Sequence, residues 1–142
     1  MFNTILLPID LNHESSWVKA LPTALEFARA SGGSLHILTV VPDFGMSIVD
    51  QFFPEGYEKK MADKVLQKLH DFVDANVPAE MKVQHIVGQG SVYEVILSIA
   101  AKITADVIVM GAHRPELKDY MLGPNAARVV RHASCSVMVV RD

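Results

Sequence analysis

The stretch Thr4-Ile5-Leu6-Leu7-Pro8-Ile9-Asp10 is apolar at nearly every position until it ends on a carboxylate. A strand with one face in water alternates apolar and polar residues, whereas a strand covered on both faces reads as an unbroken apolar run. Three more runs share this character: Leu35 to Val41, Val107 to Met110 and Val137 to Val140. A fifth, Lys82-Val83-Gln84-His85-Ile86-Val87, alternates and therefore reads as a half-exposed edge strand.

Helical patterns lie between the runs. Ala20 to Ala30 sets Leu21, Ala24, Leu25, Phe27 and Ala28 along one side, and Ser31-Gly32-Gly33 supplies the stop. If that helix begins near Ser15, Pro22 falls in its second turn, removes a hydrogen bond and should kink it; otherwise the helix starts near Ala20. Tyr57 to Asp74 repeats apolar residues at Met61, Val65, Leu69, Phe72 and Val73, which predicts about five turns. Ser91 with Glu94 forms a capping-box signature ahead of a helix to Ala101. Asn125 to His132 predicts a short last helix. Strict alternation of buried strands with helices argues for an α/β fold, an open parallel five-stranded sheet with helices on both faces. The chain of 142 residues fits one domain, residues 1–142. The segment Pro42 to Gly56 is the one long connection, a lid or a partner-facing surface.

Composition excludes several classes. A net charge of −3 with no basic cluster offers no footprint for nucleic acid or an anionic membrane. No apolar run approaches the roughly 18 residues of a membrane span. The first residues read as a strand rather than a signal peptide, and the single cysteine, Cys135, fits a reducing compartment, so a cytoplasmic location is expected. A Gly-x-x-x-x-Gly-Lys-Ser/Thr string is missing, which excludes a P-loop NTPase.

In open parallel sheets, ligands bind beyond the carboxyl ends of the strands, where the winding reverses. Two strand ends carry unusual residues. Asp10 directly follows the first strand, where its carboxylate can accept from a ribose or an adenine amine, or else cap the loop before the first helix. After Val109-Met110, Gly111 opens a polar loop containing His113, Arg114 and Lys118, and Gly123 precedes the last helix. Glycines let a backbone approach phosphate oxygens, and a helix start offers free N–H groups. The same two glycines also suit an ordinary tight turn.

The opening Ile5-Leu6-Leu7-Pro8-Ile9-Asp10, then Leu38 to Pro42, then Gly88-Gln89-Gly90 resemble the universal stress protein family. So do Gly111-Ala112-His113-Arg114-Pro115, Leu122-Gly123-Pro124-Asn125-Ala126-Ala127 and Val130 to Val137, so the resemblance spans essentially the whole chain. The shortened loop with Arg114-Pro115 is most similar to the enterobacterial F and G type proteins. The resemblance implies a Rossmann-like dimer with sheet order 3-2-1-4-5 that holds ATP, AMP or ADP, with magnesium as a further expectation. It implies that Pro8, Ile9 and Asp10 flank the adenosine and that the Val40 backbone meets the adenine. Met110 and Gly111 would lie under ribose and phosphates, and Gly123 with Asn125 would cradle the phosphates, with His113 nearby.

Two departures bear on that carry-over. Arg114 stands in place of a motif glycine and offers a charged fork suited to phosphate. Pro124 replaces a serine or threonine and has neither hydroxyl nor N–H, although proline is well tolerated at the first helical position. Each hydrogen bond lost to a charged group costs about 1.5–3 kcal/mol, so weak nucleotide binding, or a preference for AMP or ADP, is expected.

The sequence thus points to an adenine-nucleotide-binding stress-response regulator, read by an unidentified protein partner, with at most slow ATP hydrolysis. The alternatives are a dimeric interaction module without nucleotide and a slow phosphoryl- or adenylyl-transferring enzyme, for which no catalytic residue is legible. The six histidines show no ligand spacing, so no metal site is expected, and most should be surface or helix-end residues. Cys135 reads as a buried small hydrophobe. The last strand, Ser136 to Val140, is apolar yet lies at a sheet edge in the family order, which fits pairing with its copy in a homodimer.

Overall fold

Five strands pair in parallel in the order β3-β2-β1-β4-β5: β1 Thr4–Ile9, β2 Ser34–Val41, β3 Val83–Gln89, β4 Val107–Gly111 and β5 Ser136–Val140. The computed structural model describes residues 2–41, 57–112 and 124–141. The connection 42–56 therefore lies outside the described residues. Among the described residues four helices alternate with the strands: α1 Ala20–Ser31, α2 Tyr57–Asn76, α3 Val92–Lys102 and α4 Pro124–His132. The expected α/β architecture and strand order are both present.

Successive side chains of a strand point to opposite faces of the sheet, so each buried run feeds two cores. Ile5, Leu7, Ile37, Val107 and Val109 pack with Leu21, Ala24 and Leu25 of α1 and with Leu69 and Val73 of α2. Leu6, Leu38, Ile108 and Met110 pack on the other face with Ile96 and Ala100 of α3 and with Ala126 and Val129 of α4. β3 is half-buried along most of its length, as its alternation predicts for an edge.

Helix ends follow the residues that specify them. α1 begins at Ala20, so Pro22 falls in the first turn, where its missing N–H costs no intrahelical bond. Gly32 closes the helix in the left-handed conformation (φ 65°) and the Gly33 N–H donates to the Ala28 carbonyl at 3.1 Å. Ser91 is the N-cap of α3, but its side chain makes no capping hydrogen bond, contrary to the capping-box expectation. The Glu94 carboxylate instead accepts from the Tyr93 hydroxyl at 3.1 Å.

Three histidines depart from the surface or helix-end expectation. His36 lies within β2, half-buried, with Nδ1 buried and unpartnered, and burial lowers its pKa. His70 of α2 and His85 of β3 are also half-buried and meet each other. Cys135 is half-buried rather than fully buried, and burial pushes its thiol pKa up, so it is not an activated nucleophile.

Candidate functional site

The sheet is tied at one end of its central pair and open at the other. At the start, the Asp106 carboxylate accepts from the backbone N–H groups of Asn3 (2.9 Å) and Thr4 (2.8 Å). At the far end β1 stays with β2 as far as Ile9↔Thr39, whereas its pairing with β4 stops at Leu6↔Ile108. β4 itself continues to Gly111, paired with β5.

Pro8 explains the separation. Alternate residues of a parallel strand address opposite neighbours. The Asn3 carbonyl accepts from Ser34, at the start of β2, and the Thr4 carbonyl accepts from Asp106, beside β4. Pro8 shares the parity of Thr4, so its backbone faces β4, and its nitrogen carries no hydrogen to continue that ladder. The β1–β4 ladder therefore ends early at the point where strand order reverses, the place where open parallel sheets form a ligand crevice. Replacing Pro8 with valine should add a rung. The amide of residue 8 is then expected to exchange as slowly as that of Leu6 by hydrogen-exchange NMR. Rapid exchange there would show that the strands part for another reason.

The residues expected around a ligand sort by face. Pro8, Val40 and Met110 lie on the sheet face that carries α3 and α4, given the side-chain alternation with Leu6, Leu38 and Ile108. Val40 follows Thr39, the register partner of Ile9, and so flanks the end of β1. The Ile9 side chain turns to the opposite face and is 6% exposed, and its backbone, which shares the parity of Asn3, addresses β2 opposite Thr39. Met110 is 7% exposed and its side chain fills the core under α3 and α4.

Asp10 takes the loop-capping role that stood as an alternative. One carboxylate oxygen accepts from the Asn12 N–H at 2.9 Å, and the other lies 2.8 Å from His13 Nδ1. The Ser16 hydroxyl donates to the carbonyls of Asp10 (3.0 Å) and His13 (2.7 Å) and accepts from the Asp10 N–H at 2.9 Å. The side chain is nonetheless 53% exposed, so it keeps lone pairs free to accept from a further partner. An Asx turn is legible in Asp10-Leu11-Asn12, but the part played by Ser16 is not.

That network builds a turn of 3-10 helix, Glu14–Ser16, that periodicity did not predict, and the turn sits against the end of β4. A Cβ on Gly111 would lie 2.7 Å from the Ser16 carbonyl oxygen and 3.1 Å from that of Ser15. Gly111 is therefore required by contact with its own chain, a reason separate from any approach to phosphate.

α4 opens with Pro124, exposed, followed by half-buried Asn125. His113, Arg114 and Gly123 lie outside the described residues. Beside α4 runs a groove of about 430 Å³ lined by Tyr93, Pro124, Ala127, Arg128, Arg131 and His132. The Arg128 guanidinium lies 4.9 Å from the centre of the Tyr93 ring. Arg128, Arg131 and His132 are close together on α4, but the groove was not legible in the sequence because its facing wall, Tyr93, comes from α3 more than thirty residues earlier. Among the described residues no three metal-ligating side chains converge, and no helix is long and apolar enough to cross a membrane.

Known proteins with this arrangement are consistent with one another. Residues 1–141 match the model of the universal stress protein family. Universal stress protein G of Salmonella typhimurium is 30% identical over 99% of this chain and all of its own length. Among solved structures, universal stress protein UspA from Lactobacillus plantarum superposes with a TM-score of 0.72 at 23% identity, covering 99% of both chains. A universal stress protein in complex with cAMP gives 0.66 at 22% identity, over 99% of this chain and 97% of its own. A family protein from Arabidopsis thaliana with AMP bound gives 0.65 at 18%, over 96% and 90%. The chain belongs to the universal stress protein family.

Proposed function

We propose that this protein binds an adenine nucleotide in the crevice between β1 and β4 and acts, as one domain over residues 1–142, as a cytoplasmic dimeric regulator in stress response. The carrying observation is that the pairing of the central strands ends at Leu6↔Ile108, at the switch point. Two solved family structures hold cAMP and AMP, which supports the ligand class.

In this reading the adenine lies against Pro8 and the Val40 backbone, with the Ile9 backbone alongside. The exposed lone pairs of Asp10 accept from ribose hydroxyls or hold a magnesium ion. The phosphates approach the amide of Gly111 at the end of β4 and those of Gly123 and Asn125 by the start of α4, where the dipole favours anions, with His113 and Arg114 supplying charge. Met110 contributes its backbone. In this reading ATP turnover is at most slow and the bound state is what a partner protein reads. The apolar edge of β5, with Met138 40% exposed, pairs with its copy across a two-fold axis.

A second reading, a dimeric module that binds no nucleotide, is favoured by Pro124, which offers neither N–H nor hydroxyl at the helix start. Thermal unfolding with and without ATP, ADP, AMP and GTP separates the two. A ligand at about a hundred times its dissociation constant adds about 2.7 kcal/mol, expected as a rise of about 10 °C with the adenine nucleotides and less with GTP. Unchanged melting at millimolar adenine nucleotide would sink the binding proposal. Light scattering on the same samples is expected to give twice the 15.6 kDa chain mass, and a monomer mass would remove the dimer.

A further inference from the structure

His70 and His85 are brought together from different layers of the fold. His70 lies on α2 and His85 on the edge strand β3, and their Nδ1 atoms face each other within hydrogen-bonding contact. The ring centroids are 4.4 Å apart and the planes are tilted by 48°. Both side chains are half-buried. Nothing in the nucleotide reading uses either of them.

Two imidazole nitrogens can face each other only if one carries hydrogen and the other a lone pair. In the neutral pair one ring takes the Nδ1–H tautomer and donates. A first proton is still accommodated, because the imidazolium donates and the other ring moves its hydrogen to Nε2. A second proton puts N–H against N–H and charge against charge. The contact then repels.

We propose that His70 and His85 form an acid-sensitive latch that holds α2 to the edge strand β3 near neutral pH and releases it when both rings are protonated. The surroundings favour this behaviour. The same-face neighbours of His85 on β3 are Val83 and Val87, and its register partner on β2 is Ile37, none of which carries charge. From α2, His70 and Asp74 are the charged or titratable groups that act on it. Burial first, then the His70 charge, lower the pKa of His85, while Asp74 opposes them by raising it.

The sign follows from linkage. His85 is harder to protonate in the folded protein than at its ordinary value of 6.5, so stability is full above that pH and is lost as pH falls through the lower folded value. The window therefore lies below pH 6.5. It involves β3, which pairs with β2 along Leu35 to Val41 and so reaches the wall of the crevice at Val40.

NMR titration of the histidine ring protons in the whole protein tests the latch without reference to nucleotide. His70→Gln is expected to raise the His85 midpoint, and Asp74→Asn to lower it. Between about pH 7.5 and about pH 5, wild type is expected to lose about 3–5 °C more in Tm than the His70→Gln/His85→Gln double variant. That comparison matters because His36, on the opposite face, also resists protonation. A His85 midpoint that moves in neither variant overturns the proposal, as does equal acid sensitivity of wild type and double variant. A rise in Tm with added Zn²⁺ at neutral pH, present in wild type and lost in His85→Gln, would show a metal chelate instead. Should a glutamine variant fail to fold, Asp74→Asn on the native pair decides alone.

Discussion

Replacing Pro124 with serine is expected to tighten ATP binding about ten- to a hundredfold, measured by isothermal titration calorimetry. Pro124 is the first residue of α4 and is exposed, so the change touches neither Ala126 nor Val129 in the core beneath. Serine adds two donors at a helix start, a backbone N–H and a hydroxyl, and each hydrogen bond to a charged group is worth about 1.5–3 kcal/mol. A tenfold gain needs about 1.4 kcal/mol and a hundredfold gain about 2.7 kcal/mol, so one well-directed donor spans the expected range. Proline at the first helical position mainly limits the unfolded chain, so the cost in stability is about 0.4–1 kcal/mol, too small to unfold the protein. An unchanged dissociation constant would show that the phosphates do not reach the start of α4. Absence of binding in both proteins would favour the interaction module.

Gly111→Ala should destabilise the ligand-free protein by about 1–3 kcal/mol, the usual range for forced overpacking. The added Cβ meets backbone oxygens of Ser15 and Ser16, not the movable tip of a side chain. Those oxygens cannot retreat independently, because the Ser16 hydroxyl ties the turn to the backbones of Asp10 and His13. Relief of the collision displaces the turn and the Asp10 carboxylate with it, so nucleotide affinity is expected to fall as well. Denaturant midpoints without ligand read the first effect. A variant as stable as wild type, impaired only in binding, would mean that the glycine serves the phosphate approach alone.

The histidine latch and the Pro8 ladder break concern opposite ends of one wall. Pro8 parts β1 from β4, while His85 helps hold β3, and β3 in turn supports β2 through a register from Val83 to Gln89. Acid release of α2 therefore has a structural route to Val40, whatever that residue contacts.

Local sequence was enough for the elements themselves. Unbroken apolar runs marked β1, β2 and β4 as strands covered on both faces, β5 is as apolar yet lies partly exposed at an edge, and the alternating β3 is the half-buried edge opposite. Pro22 and the Ser31-Gly32-Gly33 stop bounded α1, since backbone sterics act within a turn. The crevice residues Pro8, Asp10 and Val40 were legible because strand ends in such sheets are where ligands bind, and resemblance to a family supplied the strand order. Tertiary structure alone decided the remainder. Which neighbour Pro8 faces depends on the registers of two pairings with residues 30 and 102 positions away. Gly111 needs its missing side chain because a turn roughly a hundred residues earlier in the chain folds onto it. His70 and His85 meet because α2 crosses back over β3, and Met110 is buried because its face carries α3 and α4. Propensity and periodicity arise from short-range sterics and can be read along the chain, whereas these contacts are set by how the crossovers align, which no local pattern encodes.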